Sequence, residues 1–190
     1  MRIIAGRHRG RALATPPGLA TRPTAARVRE AVFNILTHGL DWPGFAGARM
    51  LDLFAGSGAA GFEALSRGAA FATFIDHAGA ALAAIRRNAE ALGEADRVRL
   101  LRLDATRLGP PPAGAGTPAD LAFLDAPYGA GLTLPALTAL LRGGWLKPRA
   151  MIVVEIAAKE PFTPPPGCTR LDERAWGAAR VLFLAAPPAP

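Results

Sequence analysis

At 190 residues and 51% hydrophobic content, the chain can bury one substantial core and has no room for a large second module. Every apolar stretch is shorter than a membrane span and residues 1–30 lack the uninterrupted apolar core of a signal peptide, so a cytoplasmic protein without a membrane partner is expected. The net charge of +7 is unevenly placed: residues 1–29 hold Arg2, Arg7, Arg9, Arg11, Arg22, Arg27 and Arg29 with no acid, while the rest holds 15 basic and 15 acidic residues. A basic arm on a body of zero formal charge is the footprint of a polyanion binder whose affinity falls with salt. The single cysteine, Cys168, excludes an intramolecular disulfide, and His8, His38 and His77 show no ligand spacing, so no metal is expected.

In chain order, Met1 to Leu13 mixes apolar and basic residues around Gly6 and Gly10 and predicts a small hairpin or extended ribbon. A Pro/Gly linker, Thr15 to Pro23, leads into a helix capped by Thr24 and running to about Leu36, with Val28, Val32, Ile35 and Leu36 inward. The division expected is a basic arm over 1–23, one domain over 24–186 and a disordered tail over 187–190. Met50 to Phe54 reads as a strand, Gly56-Ser57-Gly58 as a turn, and Ala59 to Arg67 as a helix stopped by Gly68. Phe71 to Ile75 is a second strand ending on Asp76, followed by a helix from His77 to Leu92 with Leu82, Ile85, Ala89 and Leu92 on one side and Arg86 and Arg87 on the other. Val98 to Leu103 is a third strand, ending on Asp104 and Ala105, and Gly109 to Pro118 a mobile loop without chemistry of its own. Leu121 to Leu124 is a strand ending on Asp125, Gly129-Ala130-Gly131 a flexible turn, Leu134 to Leu141 a helix, and Ala150 to Ile156 a central strand. Pro161 to Gly167 forms a loop, and Arg170–Glu173 with Arg180–Leu184 an antiparallel pair around Trp176-Gly177.

Two features carry chemistry. Four strands end on or near a carboxylate, Asp52, Asp76, Asp104 and Asp125, and ligands bind at the carboxyl ends of strands in an open parallel sheet. A glycine turn there brings backbone N–H groups and a helix N-terminus close to a ligand, and Asp76, 20 residues after Gly56, is suited to ribose hydroxyls. Because Gly56 to Gly61 also spells G-x-G-x-x-G, a nicotinamide dehydrogenase is an alternative. The second feature is Asp125-Ala126-Pro127-Tyr128: a carboxylate and a neighbouring carbonyl can accept both hydrogens of a planar amine while an aromatic ring stacks on its base. Seven strands, the last two a hairpin, make a doubly wound α/β sheet with an antiparallel member. That arrangement suits Rossmann-like class I S-adenosylmethionine-dependent methyltransferases better than nicotinamide enzymes.

Over nearly its whole length the chain resembles the 16S rRNA guanine-N2 methyltransferase family RsmD. The resemblance runs through Arg2-Ile3-Ile4-Ala5-Gly6, Arg9-Gly10, Arg22-Pro23-Thr24, Arg27-Val28-Arg29-Glu30, Phe33-Asn34, Leu51 to Gly58, Asp125 to Tyr128 and Trp176-Gly177. It implies S-adenosylmethionine as cofactor and 16S rRNA, in the small ribosomal subunit or an assembly intermediate, as partner of a monomeric enzyme. By matching positions, Asp52, Phe54 and Gly56-Ser57-Gly58 would face the methionine part, Asp76 the ribose, and Asp104 with Ala105 the adenine. Asp125 and the Ala126 carbonyl would hold the guanine amine beside Pro127, and Tyr128 would stack on the base. The seven arginines of residues 1–29 would hold RNA. The family usually has Pro where Ala126 stands, an acid at Ala26 and Tyr at Trp176. A DNA adenine-N6 methyltransferase and a noncatalytic RNA-binding protein with the same fold are the alternatives.

Overall fold

The computed structural model describes residues 1–17 and 23–189. A helix, α1 (Pro23–His38), precedes β1 (Arg49–Leu53), α2 (Ala59–Ser66), β2 (Phe71–Asp76), α3 (Gly79–Leu92) and β3 (Val98–Arg102). Then follow β4 (Ala119–Asp125), α4 (Thr133–Arg142), β5 (Leu146–Ala157), β6 (Thr169–Trp176) and β7 (Ala179–Ala185). The sheet order is β3-β2-β1-β4-β5-β7-β6, with β1 to β5 parallel and β7 antiparallel to both neighbours. The expected seven-stranded doubly wound sheet with a closing hairpin is thus the observed one.

Side-chain alternation splits the core in two. Met50, Phe74, Phe123, Val153 and Phe183 pack under α1, α2 and α3, while Leu51, Leu53, Ile75, Leu124, Ile152 and Val154 pack against α4 and Trp145 on the other face. Phe33 of α1 stacks on Phe123, ring centroids 6.3 Å apart, so α1 lies across the centre of the sheet.

Three expectations change in detail. α3 starts at Gly79 rather than His77, because the Asp76 carboxylate takes the Ala78 N–H at 2.8 Å and holds the preceding residues in a turn. β5 begins four residues early, at Leu146, despite Pro148 and a positive φ of 58° at Arg149; the register with β4 shifts between Ala119 and Leu121 to absorb the irregularity. The segment 109–118 is tied down rather than loose: Thr73 Oγ1 donates to the Ala115 carbonyl at 2.6 Å and Trp145 Nε1 to the Gly109 carbonyl at 2.8 Å. Together with a 3-10 turn at Ala105–Arg107 it makes the β3–β4 crossover, where no α-helix stands.

Residues 1–13 form the expected ribbon, with Arg2 bridged to Ala12, the Ile3 N–H donating to the Arg11 carbonyl at 3.0 Å and the Leu13 N–H to the Met1 carbonyl at 2.9 Å. The ribbon is docked. Ile3 and Leu13 are buried, and the Ile4 and Ala5 N–H groups donate to the fully buried Glu63 of α2 at 2.7 and 3.1 Å. Asn88 of α3 grips the Ala14 backbone on both sides, accepting from its N–H at 2.8 Å and donating to its carbonyl at 2.9 Å. At Gly6, φ +80°, a Cβ would lie 1.9 Å from the Ser66 carbonyl oxygen, so only glycine lets the ribbon approach α2 this closely.

Candidate active site

The parallel register decides which strand-end acids share a face. Asp52 pairs with Phe74 and Phe123, and Asp125 pairs with Glu155, so two-residue periodicity turns Asp52, Asp76, Asp125 and Glu155 toward the α1 side of the sheet. There they line one open cleft of about 820 Å³, together with Phe54, Gly56, Ser57, His77, Tyr128 and Arg29.

The glycine turn is built from backbone donors and two carboxylates. Asp52 accepts from the Gly61 N–H of α2 at 2.9 Å, and Asp76 accepts from the Gly56 N–H at 2.9 Å as well as from Ala78. Phe54 (φ 58°) and Gly58 (φ 77°) both take left-handed conformations to turn the chain from β1 into α2. A Cβ on Gly61 would sit 2.3 Å from the Phe74 ring, so the third glycine of the motif serves helix–strand packing. Burial pushes the Asp52 carboxyl up to about 7, the Gly61 hydrogen bond opposing it and the Asp76 charge adding to it.

The second half of the cleft comes from β4 and β5. Asp125 is reachable by water through the cleft mouth yet walled by protein on most sides; loss of solvent, then the charges of Glu155 and Asp52, hold its carboxyl well above the usual range. Glu155 is raised too, chiefly by burial, while the hydrogen bond from Tyr128 and the charge of Arg29 pull it back. The Tyr128 hydroxyl donates to Glu155 Oε1 at 2.6 Å, which fixes the ring beside Asp125. Ala126 is buried, and Pro127 lines the cleft wall. Burial thus favours the neutral form of both carboxyls, and the Glu155 charge adds to it at Asp125.

Other expected site residues lie elsewhere. Asp104 stands outside the cleft, 54% exposed, its carboxyl kept below the usual range by the Thr106 hydroxyl and N–H, which it caps at 2.7 and 2.9 Å. Ala105 is buried beneath it, and Gly58 shapes the turn without lining the cleft. Among the N-terminal arginines, Arg9 and Arg27 are exposed; Arg2 donates to the Gly10 carbonyl at 2.8 Å, Arg11 to the Ala91 carbonyl at 2.7 Å, and Arg7 pairs with buried Glu94. Arg22 lies outside the described residues. Arg29, expected near the start of the helix as an RNA contact, is 8% exposed and faces into the cleft, because it stands one helical turn before Phe33 on the inner face of α1. Glu155 and His77 are cleft residues that strand-end reasoning passed over. The signal for Glu155 was present, a lone carboxylate inside the apolar run Met151 to Ile156.

The cleft is therefore lined by four carboxyl groups and one guanidinium in a chain of net charge +7, a set of mostly acceptors suited to a ligand with more than one positive group.

Comparison with known proteins agrees with this architecture. Residues 1–185 match the family model described as conserved hypothetical protein 95. The chain is 41% identical over 155 residues to ribosomal RNA small subunit methyltransferase D of Escherichia coli K12, covering 82% of this chain and 74% of that one. It is 34% identical over 178 residues to the protein of the same name in Haemophilus influenzae, covering 93% and 89%. Among solved structures, the Escherichia coli methyltransferase yhhF superposes with a TM-score of 0.81 at 35% identity, covering 100% of this chain and 99% of that one. An RNA methyltransferase fold from Pyrococcus horikoshii superposes at 0.66 with 12% identity, a likeness of fold alone. From sheet order, cleft and relatives together, the chain is a class I methyltransferase and belongs to the conserved hypothetical protein 95 family, that of the ribosomal RNA small subunit methyltransferases D.

Proposed function

We propose that this protein methylates the exocyclic N2 amine of one guanine in 16S rRNA of the small ribosomal subunit, using S-adenosylmethionine. The observation that carries the reading is the joining, in one cleft, of Asp125-Ala126-Pro127-Tyr128 with the glycine turn and its two acids. S-adenosylmethionine supplies a methyl group activated by a sulfonium. Asp52 and the Gly56–Ser57 turn would hold its amino-acid end. Asp76, anchored by two backbone N–H groups, retains lone pairs for ribose hydroxyls.

A guanine amine is a poor nucleophile because its lone pair is delocalised into the ring. Asp125 and the Ala126 carbonyl, by accepting its two hydrogens, would favour the pyramidal nitrogen that attacks in line. Tyr128, latched to Glu155, would hold the ring plane, so that orientation contributes much of the acceleration. The proton lost from nitrogen goes to Asp125, whose raised pKa suits it as acceptor. Ala at position 126 keeps the carbonyl and gives up only the rigidity of proline. The base would reach the cleft flipped out of a loop, with the exposed arginines Arg9 and Arg27 on RNA phosphates.

The test is radiolabelled methyl transfer to small subunits and RNA from a strain lacking the enzyme, followed by nucleoside analysis. One site of N2-methylguanosine, absent with Asp125→Ala, is the expected result; label on adenine, or binding without transfer, would reject it.

A further inference from the structure

We propose that the buried guanidinium of Arg29 is the receptor for the carboxylate at the amino-acid end of the methyl donor. This rests on the reading of the cleft as an S-adenosylmethionine site and adds to it a residue that the glycine motif does not contain.

Arg29 is over nine-tenths buried and, among the described residues lining the cleft, is the one lysine or arginine. It is poorly satisfied for so buried a charge. One terminal nitrogen donates to the Arg2 carbonyl at 2.9 Å, the other to the Met1 sulfur at 3.1 Å, a weak acceptor, and Nε has no partner among the described residues. Burial lowers its pKa from the usual arginine value, with Glu63, Asp52 and Glu155 opposing the shift from a distance.

A guanidinium kept only to neutralise the acids would be expected to touch one, yet each is engaged elsewhere. Glu63 is held by Arg67 at 2.8 Å and by the Ile4 and Ala5 N–H groups, Asp52 by Gly61, and Glu155 by Tyr128. A buried cation without a direct counter-ion is costly, and the cost is recovered when an anion arrives. The charge pattern of the cleft names that anion. Its carboxylates match the sulfonium and ammonium of the donor, and the donor's carboxylate is then left for Arg29.

Position supports the same ligand. The Met1 sulfur that takes the Arg29 hydrogen bond lies 3.4 Å from Ser57 Oγ, so Arg29 reaches the glycine turn through one weak acceptor. A carboxylate in place of the thioether would exchange a feeble hydrogen bond for a charge-assisted fork.

Calorimetric binding of S-adenosylhomocysteine and of its carboxamide, which has no negative charge, tests this on wild type, Arg29→Met and Arg29→Lys. Wild type should prefer the acid by about 10- to 100-fold. Arg29→Met should lose that factor for the acid and no longer discriminate, with Arg29→Lys between the two. Equal weakening of both ligands, or discrimination that survives in Arg29→Met, would overturn the proposal. So would lost RNA affinity with unchanged S-adenosylhomocysteine binding, which would return Arg29 to the phosphate contacts. Should Arg29→Met not fold, equal affinity of wild type for acid and amide overturns the proposal by itself. Wild type binding neither ligand would instead reject the donor site on which it rests.

Discussion

Asp125 leaves β4 next to Glu155 on β5, and that single register pair determines how the cleft titrates. Because burial and the Glu155 charge both disfavour the ionised form of Asp125, its carboxylate is gained only at a pH well above the ordinary aspartate range. An acceptor of amine hydrogens must be ionised, so single-turnover methyl transfer should rise with pH through that range. Glu155→Gln keeps an oxygen for the Tyr128 hydroxyl and removes the like charge. The rising limb should therefore move to lower pH by about 1 unit, and an unmoved limb would dissociate the pair from the reaction. Asp52 makes a stability prediction of opposite visibility. Its folded pKa of about 7 exceeds the ordinary aspartate value of 3.8, so between these the native state holds a proton that the unfolded chain has released. Its contribution to stability is thus largest at low pH and declines as pH rises toward 7. In Asp52→Asn, whose amide oxygen can still accept from Gly61, denaturant unfolding should lose that decline, worth a few kcal/mol at most. An identical pH slope in the two proteins would refute the assignment.

At the scale of elements, α2 is set against β2 by the absence of side chains. The Cβ of Gly61→Ala would meet the Phe74 ring at 2.3 and 2.6 Å, and Phe74 is itself wedged against Phe62 with centroids 5.0 Å apart, so the ring has little room to retreat. The substitution should cost about 1–3 kcal/mol and displace the turn that carries Gly56 and Ser57, weakening S-adenosylhomocysteine binding as well. Gly79→Ala, at the start of α3 with nothing within 4 Å of the added carbon, is the control and should be neutral or stabilising by up to about 1 kcal/mol. Equal melting temperatures for the two variants would show that α2 can shift freely. Elements such as these were legible in the sequence, because short apolar runs ending on an acid mark β1 and β2 and glycines bound α2 directly. What local pattern could not give was anything fixed by register or by a distant partner. Glu155 reads as an interruption of an apolar strand until β4 is laid beside it. Arg29 reads as one of seven N-terminal basic residues until Phe33 stacks on Phe123 and turns that face of α1 over the sheet. Docking of the ribbon was hidden for the same reason: its anchor is a side chain 58 residues away, Glu63, meeting backbone N–H groups that carry no sequence signal.

For the whole molecule, the described ribbon is seated on α2 and α3 rather than hanging from the body as a loose arm. Glu63, Ser66, Asn88 and Glu94 together hold residues 4–14, with His8 donating its backbone N–H to Ser66 Oγ at 3.0 Å and its ring 2.5 Å from Glu94. A docked ribbon presents its cations at fixed positions, so the arginines should not contribute alike to RNA binding. Arg9 and Arg27 are exposed and their guanidinium groups make no hydrogen bond or ion pair among the described residues, whereas Arg7 is engaged by Glu94 and Arg29 is buried. Each cation that neutralises a phosphate releases counterions, which makes the dependence of affinity on salt a count of contacts. Arg9→Ala and Arg27→Ala should therefore each lower the slope of log affinity against log salt by about 0.7–0.9. Arg29→Met should leave it unchanged. Arg7→Ala should act mainly on stability, since it strips one of three basic partners from a buried carboxylate, His8 and Arg97 remaining. Filter binding across a salt series separates these outcomes. Slopes equal to that of wild type for all four variants would mean that RNA meets this protein away from these arginines.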